Sequence, residues 1–159
     1  MASMTELAER YLAGTQALRQ AVAGMDRQQL IARPVPNKWS TLEVVCHLVD
    51  SDQAWIHRMK RIIAEERPLL IGYDETRFAK SLGYHDRELE AELDLFDAGR
   101  RQMALVLRKL PSEALTRCGV HSESGLLTLE QSIVIEIDHV SHHLKFVAEK
   151  RRVLGRTSA

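Results

Sequence analysis

Apolar side chains recur at alternating three- and four-residue intervals through most of the chain, the period of a helix that buries one face. In the first segment Met4, Leu7, Tyr11, Gly14, Leu18, Ala21 and Met25 form such a stripe. Ser3 followed three residues later by Glu6 has the form of a capping box that starts it. Gly14 leaves a notch in the stripe, open to a neighbouring side chain or a ligand, with close packing the plainer reading. Pro34 and Pro36 break the pattern. Ser40-Thr41-Leu42-Glu43 is a second capping box and opens a helix to about Glu66, whose core face is Leu42, Val45, Val49, Ile56, Met59 and Ile63. Residues 68 to 84 contain Gly72 and Gly83 and show no clean period. A connection that long in a compact domain often walls or covers a site.

Asp86 is the expected N-cap of a third helix carrying Leu89, Leu93, Phe96, Arg100, Met103, Leu107 and Leu110, which Pro111 ends. After a turn-rich stretch at residues 121 to 125, Thr128-Leu129-Glu130-Gln131 makes a third capping box. It starts a last helix through about Val153, with Leu129, Ile133, Val140, Leu144 and Val147 inward. Four helices with single apolar faces and no internal repeat predict one all-α domain over residues 1–159, an antiparallel four-helix bundle.

Polar residues that interrupt these faces carry the candidate chemistry. Arg100 falls in the middle of the third stripe, and a guanidinium there must meet a carboxylate or an anion. It reads either as a structural ion pair, with Glu136 the first choice of partner, or as an anion contact in a cavity. In the last helix His139 and His143 are four apart and share a face, so two imidazoles can reach one metal ion. Glu136 lies along the same seam, the nearest candidate general base. His142 is turned about 100° from His143. On the second helix His47 lies at the edge of the apolar face beside Val44, Ser51 and Ala54. That position alone is more typical of a surface histidine than of a ligand. Asp50, one turn on, is a candidate to orient it.

Composition narrows the function classes. The chain has 159 residues with 22 basic and 22 acidic side chains, a formal net charge of +0, where a nucleic-acid binder should show a basic excess. It shows neither a signal-peptide pattern nor an apolar run near 18 residues, so a cytoplasmic protein without a membrane span is expected. Cys46 and Cys118 are isolated and fit reduced thiols; Cys46, although beside His47, reads as packing.

Two blocks carry a resemblance. Asn37-Lys38-Trp39-Ser40 with His47-Leu48-Val49-Asp50 resembles the opening motif of the DinB-like (damage-inducible) superfamily. His121-Ser122-Glu123-Ser124-Gly125 with His139-Val140-Ser141-His142-His143 resembles its ending. Gly72-Tyr73-Asp74-Glu75 is similar to the Tyr-Asp-Glu segment of the bacillithiol-transferase branch. The resemblance spans nearly the whole chain. It implies a four-helix bundle, often a homodimer, that binds a divalent metal through three histidines, here His47, His139 and His143. This is what raises His47 from edge residue to ligand. His142 and His121 match the motifs without an assigned role.

Activities in the family include thiol S-transfer with bacillithiol or glutathione and a mycothiol-dependent maleylpyruvate isomerisation. The expectation is therefore a metal-dependent enzyme acting on a small molecule, first a thiol S-transferase, alternatively a hydrolase, an isomerase or a non-catalytic metal-binding bundle. Imidazole ligands suit zinc, nickel, iron and copper alike; the expected cofactor is a divalent ion, zinc or nickel first, with iron or copper as alternatives. The chain departs from the transferase branch at Glu136 and Asp138, where that branch carries aromatics, and at Phe146, where it often has another histidine.

Overall fold

The computed structural model describes residues 3–157. Its helices are α1 (Met4–Val22), α2 (Arg27–Ile31), α3 (Thr41–Ala64), α4 (Glu75–Ser81), α5 (Leu89–Arg108) and α6 (Leu129–Thr157). Three short strands, β1 (Leu69–Leu70), β2 (Cys118–His121) and β3 (Gly125–Thr128), make a small sheet in the order β1-β2-β3. Among the described residues no helix is long and apolar enough to cross a membrane.

The second and third expected capping boxes form, while at the first Ser3 caps α1 by its hydroxyl alone, accepting from Glu6 N. Ser40 Oγ accepts from Glu43 N while the Glu43 carboxylate accepts from Ser40 N, and Thr128 and Gln131 do the same for α6. Each satisfies backbone donors that a helix start leaves without partners. Asp86, in contrast, does not cap α5. The N-cap is Glu88, with no side-chain bond to the helix, and Asp86 ends a short 3-10 turn at Tyr84–Asp86. That turn is pinned instead by Arg87, which donates to Asp50 at 2.9 Å and to Glu92 at 3.2 Å.

The four long helices form the bundle, α1 and α3 each packing along both α5 and α6. One end of the core holds Met4, Leu7, Ile56, Met59, Met103, Leu107, Leu129 and Ile133. The other holds Leu18, Val22, Val45, Val49, Leu93, Phe96, Val140 and Val147. α1 and α6 therefore run from the first end to the second, while α3 and α5 run from the second to the first. The α1–α5 and α3–α6 pairs are antiparallel, as the stripes predict, but α3 and α5 point the same way. A simple up-and-down order is not followed, because the long connection after α3 carries the chain back along the bundle before α5 begins.

The apolar stripes are the buried faces, with one shift. Ile62 is fully buried and Ile63 only partly so. The sheet, built of strands two to four residues long, has no counterpart in the helical periodicity. β2 and β3 form a hairpin at residues 121 to 125, with Gly125 at φ 73°, a left-handed conformation that glycine adopts without penalty. β1 adds in parallel to β2, so residues 69 to 75 and 121 to 124 lie together over one side of α3.

A three-histidine centre between the second and fourth bundle helices

α3 and α6 bring His47, His139 and His143 together, with one nitrogen of each within 4.8 Å of the others. Nε2 of His47 and Nε2 of His139 are 3.0 Å apart. The ring centroids of the three pairs lie 4.9, 4.8 and 4.6 Å apart, at steep angles. His47 is only 2% exposed, not an edge residue: Trp39, 5.1 Å away, and the α6 imidazoles of His139 and His143 pack against its ring.

Burial lowers the pKa of His47. Burial first, and neighbouring imidazoles second, push His139 down to about 3 and His143 down to about 4. All three rings are therefore neutral at physiological pH, the form that ligates metal. Nδ1 of each ring is buried without a hydrogen-bond partner. Converging nitrogens, orphaned ring atoms and an all-imidazole donor set fit a divalent ion, for which the nitrogens of one tetrahedral shell sit about 3.4 Å apart. His142 is exposed, its ring set edge-on to His143 and Phe146, outside the cluster as its position on the helix requires.

The cluster lies at the head of a cleft of about 260 Å³ lined by Trp55, Arg58, Tyr73, Glu75, His121 and Glu136 among others. Arg58 donates to Ile71 O at 2.6 Å and lies 4.8 Å over the Trp55 ring. His121 stacks on Trp55 at 5.7 Å and 8°, its Nδ1 accepting from the Glu123 and Ser124 amides at 3.3 and 3.4 Å. The long connection after α3 walls the site as expected: Glu75 Oε2 reaches 3.7 Å from His47 Nε2.

Beneath the cluster lies a buried polar network. Arg100 is 0% exposed, so it reaches no ligand in the cleft. Its Nε donates to Asp52 Oδ1 at 2.9 Å, its Nη1 to Tyr11 O at 2.8 Å, and its Nη2 sits 3.6 Å from Glu136 Oε2. The rings of Tyr11 and Phe96 flank its guanidinium at 4.2 and 4.4 Å. Glu136 is thus a partner of Arg100, as the stripe suggests, but Asp52 is the closer one and had no sequence signal beyond a lone carboxylate on α3. Burial first, and the Asp52 carboxylate second, hold Glu136 well above the usual carboxylate range.

Asp50 does not orient His47. Its oxygens are taken by Tyr84 Oη at 2.9 Å and by Arg87. Cys46 is packing: its Sγ faces Tyr84 O at 3.6 Å, and burial pushes the thiol up to about 12.

Trp55 and Arg58 escaped sequence reasoning. A signal was present, because His47, Ser51, Trp55 and Arg58 follow one another at helical spacings of four, four and three.

The DinB superfamily profile matches residues 10–147. The chain belongs to the DinB superfamily. A relative in Oceanobacillus iheyensis, named "Putative metal-dependent hydrolase", is 30% identical over 130 residues, 82% of this chain and 75% of that protein. Bacillus subtilis YfiT, of the same description, is 27% identical over 139 residues, 87% of this chain and 79% of YfiT. The solved YfiT structure superposes with a TM-score of 0.89 at 25% identity, covering 96% of this chain and 87% of YfiT. It is described as having "an unusual four-helix bundle topology". A mycothiol-dependent maleylpyruvate isomerase shares the fold at a TM-score of 0.69 and 13% identity, covering 91% of this chain and 62% of that one.

Proposed function

We propose that this protein is a metal-dependent hydrolase of small molecules, its centre formed by His47, His139 and His143. The observation that carries the reading is the cluster's position at the head of an open cleft, with the Glu75 carboxylate, 62% exposed, 3.7 Å from His47 Nε2. Bound there, a divalent ion supplies Lewis acidity that makes a nucleophile of water, or of a thiol, near neutral pH. The residues around it divide the remaining work. Glu75 accepts the proton of the attacking water and returns it to the leaving group. Glu136, 1% exposed and engaged with Arg100 at 3.6 Å, leaves that task to Glu75 and supports His139 instead. Trp55 and His121 wall the cleft beside the substrate body, and the guanidinium of Arg58, tied by one bond to Ile71 O, keeps donors free for a substrate oxygen.

A second reading, thiol S-transfer, is supported by the Tyr73-Asp74-Glu75 segment, of which Tyr73 and Glu75 line this cleft, and by the fold shared with a mycothiol-dependent isomerase. Glu75 would then take the proton of a low-molecular-weight thiol. Zinc- or nickel-loaded protein should be offered small esters and amides, with and without thiols, and the products followed by mass. Water addition without thiol, lost on chelation and in Glu75→Gln, is the expected result. Adducts formed only with thiol would transfer the assignment to the second reading, and inactivity toward both panels would remove both.

A further inference from the structure

A second cleft, of about 230 Å³, opens on the other side of the histidine centre, between Lys38, Trp39, Glu75, His143, Phe146 and Lys150. Lys150 lies seven residues beyond His143, two helical turns along the same face of α6. Its side chain leans back toward the N-terminus of the helix, as helical side chains do, and Nζ donates to Phe146 O at 3.2 Å. Lys150 is 2% exposed, yet among the described residues it forms no ion pair and uses one of its three donors on protein. Lys38 Nζ comes to the same Phe146 ring, 5.6 Å from its centroid, with Lys150 Nζ at 5.9 Å. Lys38 and Trp39 are presented by a turn in which Asn37 takes the left-handed conformation, φ 59°.

Two ammonium groups converge on one cavity, and the buried one has carboxylates, Glu149 and Glu43, near enough to attract it but none in an ion pair with it among the described residues. A protein core alone does not favour that arrangement, because a buried charge without a direct partner is costly. Burial accordingly lowers the pKa of Lys150. Among the described residues lining the cleft the carboxylate is Glu75, at its histidine end.

We infer that this cleft is an oxyanion subsite, in which Lys150 and Lys38 bind a carboxylate or phosphate of a substrate whose reacting end lies at the histidine centre. The helix rises about 10 Å between His143 and Lys150, and the backward lean of Lys150 shortens that reach. The ligand class is thus a small anionic molecule whose charged group is several bonds from the reacting atom. With the Arg58 cleft on the opposite side, the centre would join two binding lobes. The inference rests on the metal-centre reading for its use, but the binding itself is measurable without turnover.

The two tryptophans separate the lobes, Trp39 in this one and Trp55 in the other. Succinate and inorganic phosphate are titrated separately into zinc-loaded and metal-stripped Trp55→Phe protein while Trp39 fluorescence is followed. A saturable response is expected in both metal states, about tenfold or more weaker in Lys150→Met and in Lys38→Met and largely retained in Lys150→Arg. The anion that binds tighter names the class. An undiminished response in both Met variants, no saturable response in either metal state, or a response confined to the zinc-loaded protein would overturn the subsite, the last placing the anion on the metal. Should Lys150→Met fail to fold by circular dichroism, Lys38→Met decides. Saturable Lys-dependent binding in a protein that turns over neither panel would leave the subsite standing while the proposed activity fell.

Discussion

Glu136 Oε1 lies 3.7 Å from His139 Nδ1, and both atoms are buried without a hydrogen-bond partner. An imidazole that gives Nε2 to a metal carries its proton on Nδ1, which then needs an acceptor to fix the ring. Glu136 Oε1 is positioned to be that acceptor. Glu136→Ala should weaken zinc binding about 10- to 100-fold, and Glu136→Gln, which keeps an acceptor, should lose less. Competition with a chelating dye measures both; equal affinities for the parent and the Ala variant would remove the role.

Replacing His47, His139 or His143 by Ala should each strip most of the metal, since two imidazoles hold a divalent ion far less tightly than three. His142→Ala should remain loaded, because that side chain is exposed outside the cluster. Metal content per chain after dialysis decides, with circular dichroism to confirm folding.

Gly14 packs against Arg100. A Cβ at position 14 would fall 2.5 Å from Arg100 Nη1, and that nitrogen is held by Tyr11 O. Gly14→Ala should therefore destabilise by about 1–3 kcal/mol, although in a free helix the same change would stabilise by about 1 kcal/mol. Arg100→Ala should cost about 3–5 kcal/mol, because it leaves the Asp52 charge buried and unpaired. Thermal melts should fall by several degrees in the first case and by about 10 °C or more in the second.

Glu43 closes the α3 capping box and accepts from Arg33 at 3.0 Å. Burial alone would raise its pKa, but the bonds from Arg33 and Ser40 N outweigh burial and lower it from the ordinary 4.5. A depressed carboxylate contributes stability above its unfolded pKa and loses it as pH falls through the folded value. Glu43→Gln should thus melt lower than the parent at pH 7, with the gap narrowing once the pH drops below about 4.3. A gap constant down to pH 3 would mean that the charge contributes nothing.

We propose a homodimer, on the family resemblance. Sedimentation equilibrium at micromolar concentration should give twice the 18.1 kDa chain mass; a monomer mass would refute it.

The helices were legible because their signals are local: a hydroxyl and a carboxylate three residues apart, and a stripe that repeats every turn. The sheet was not, because β1 is two residues long and pairs with a strand some fifty residues away, too short for any alternation to show. For the same reason Asp86 read as a cap. Only the pinning of the neighbouring Arg87 by Asp50 and Glu92, remote or on another element, decides that the chain turns there instead.

By itself the sequence determined the helix faces, the shared face of His139 and His143, the outward turn of His142 and the need of Arg100 for a counter-charge. These follow from helical periodicity and the cost of burying an ion. The tertiary structure alone decided that Asp52 is the nearer counter-charge, that Asp50 serves Arg87 and not His47, and that Lys38 and Lys150, more than a hundred residues apart, face one cleft. Such pairings depend on the relative axial shift of packed helices, and no periodicity within one helix encodes its position along another.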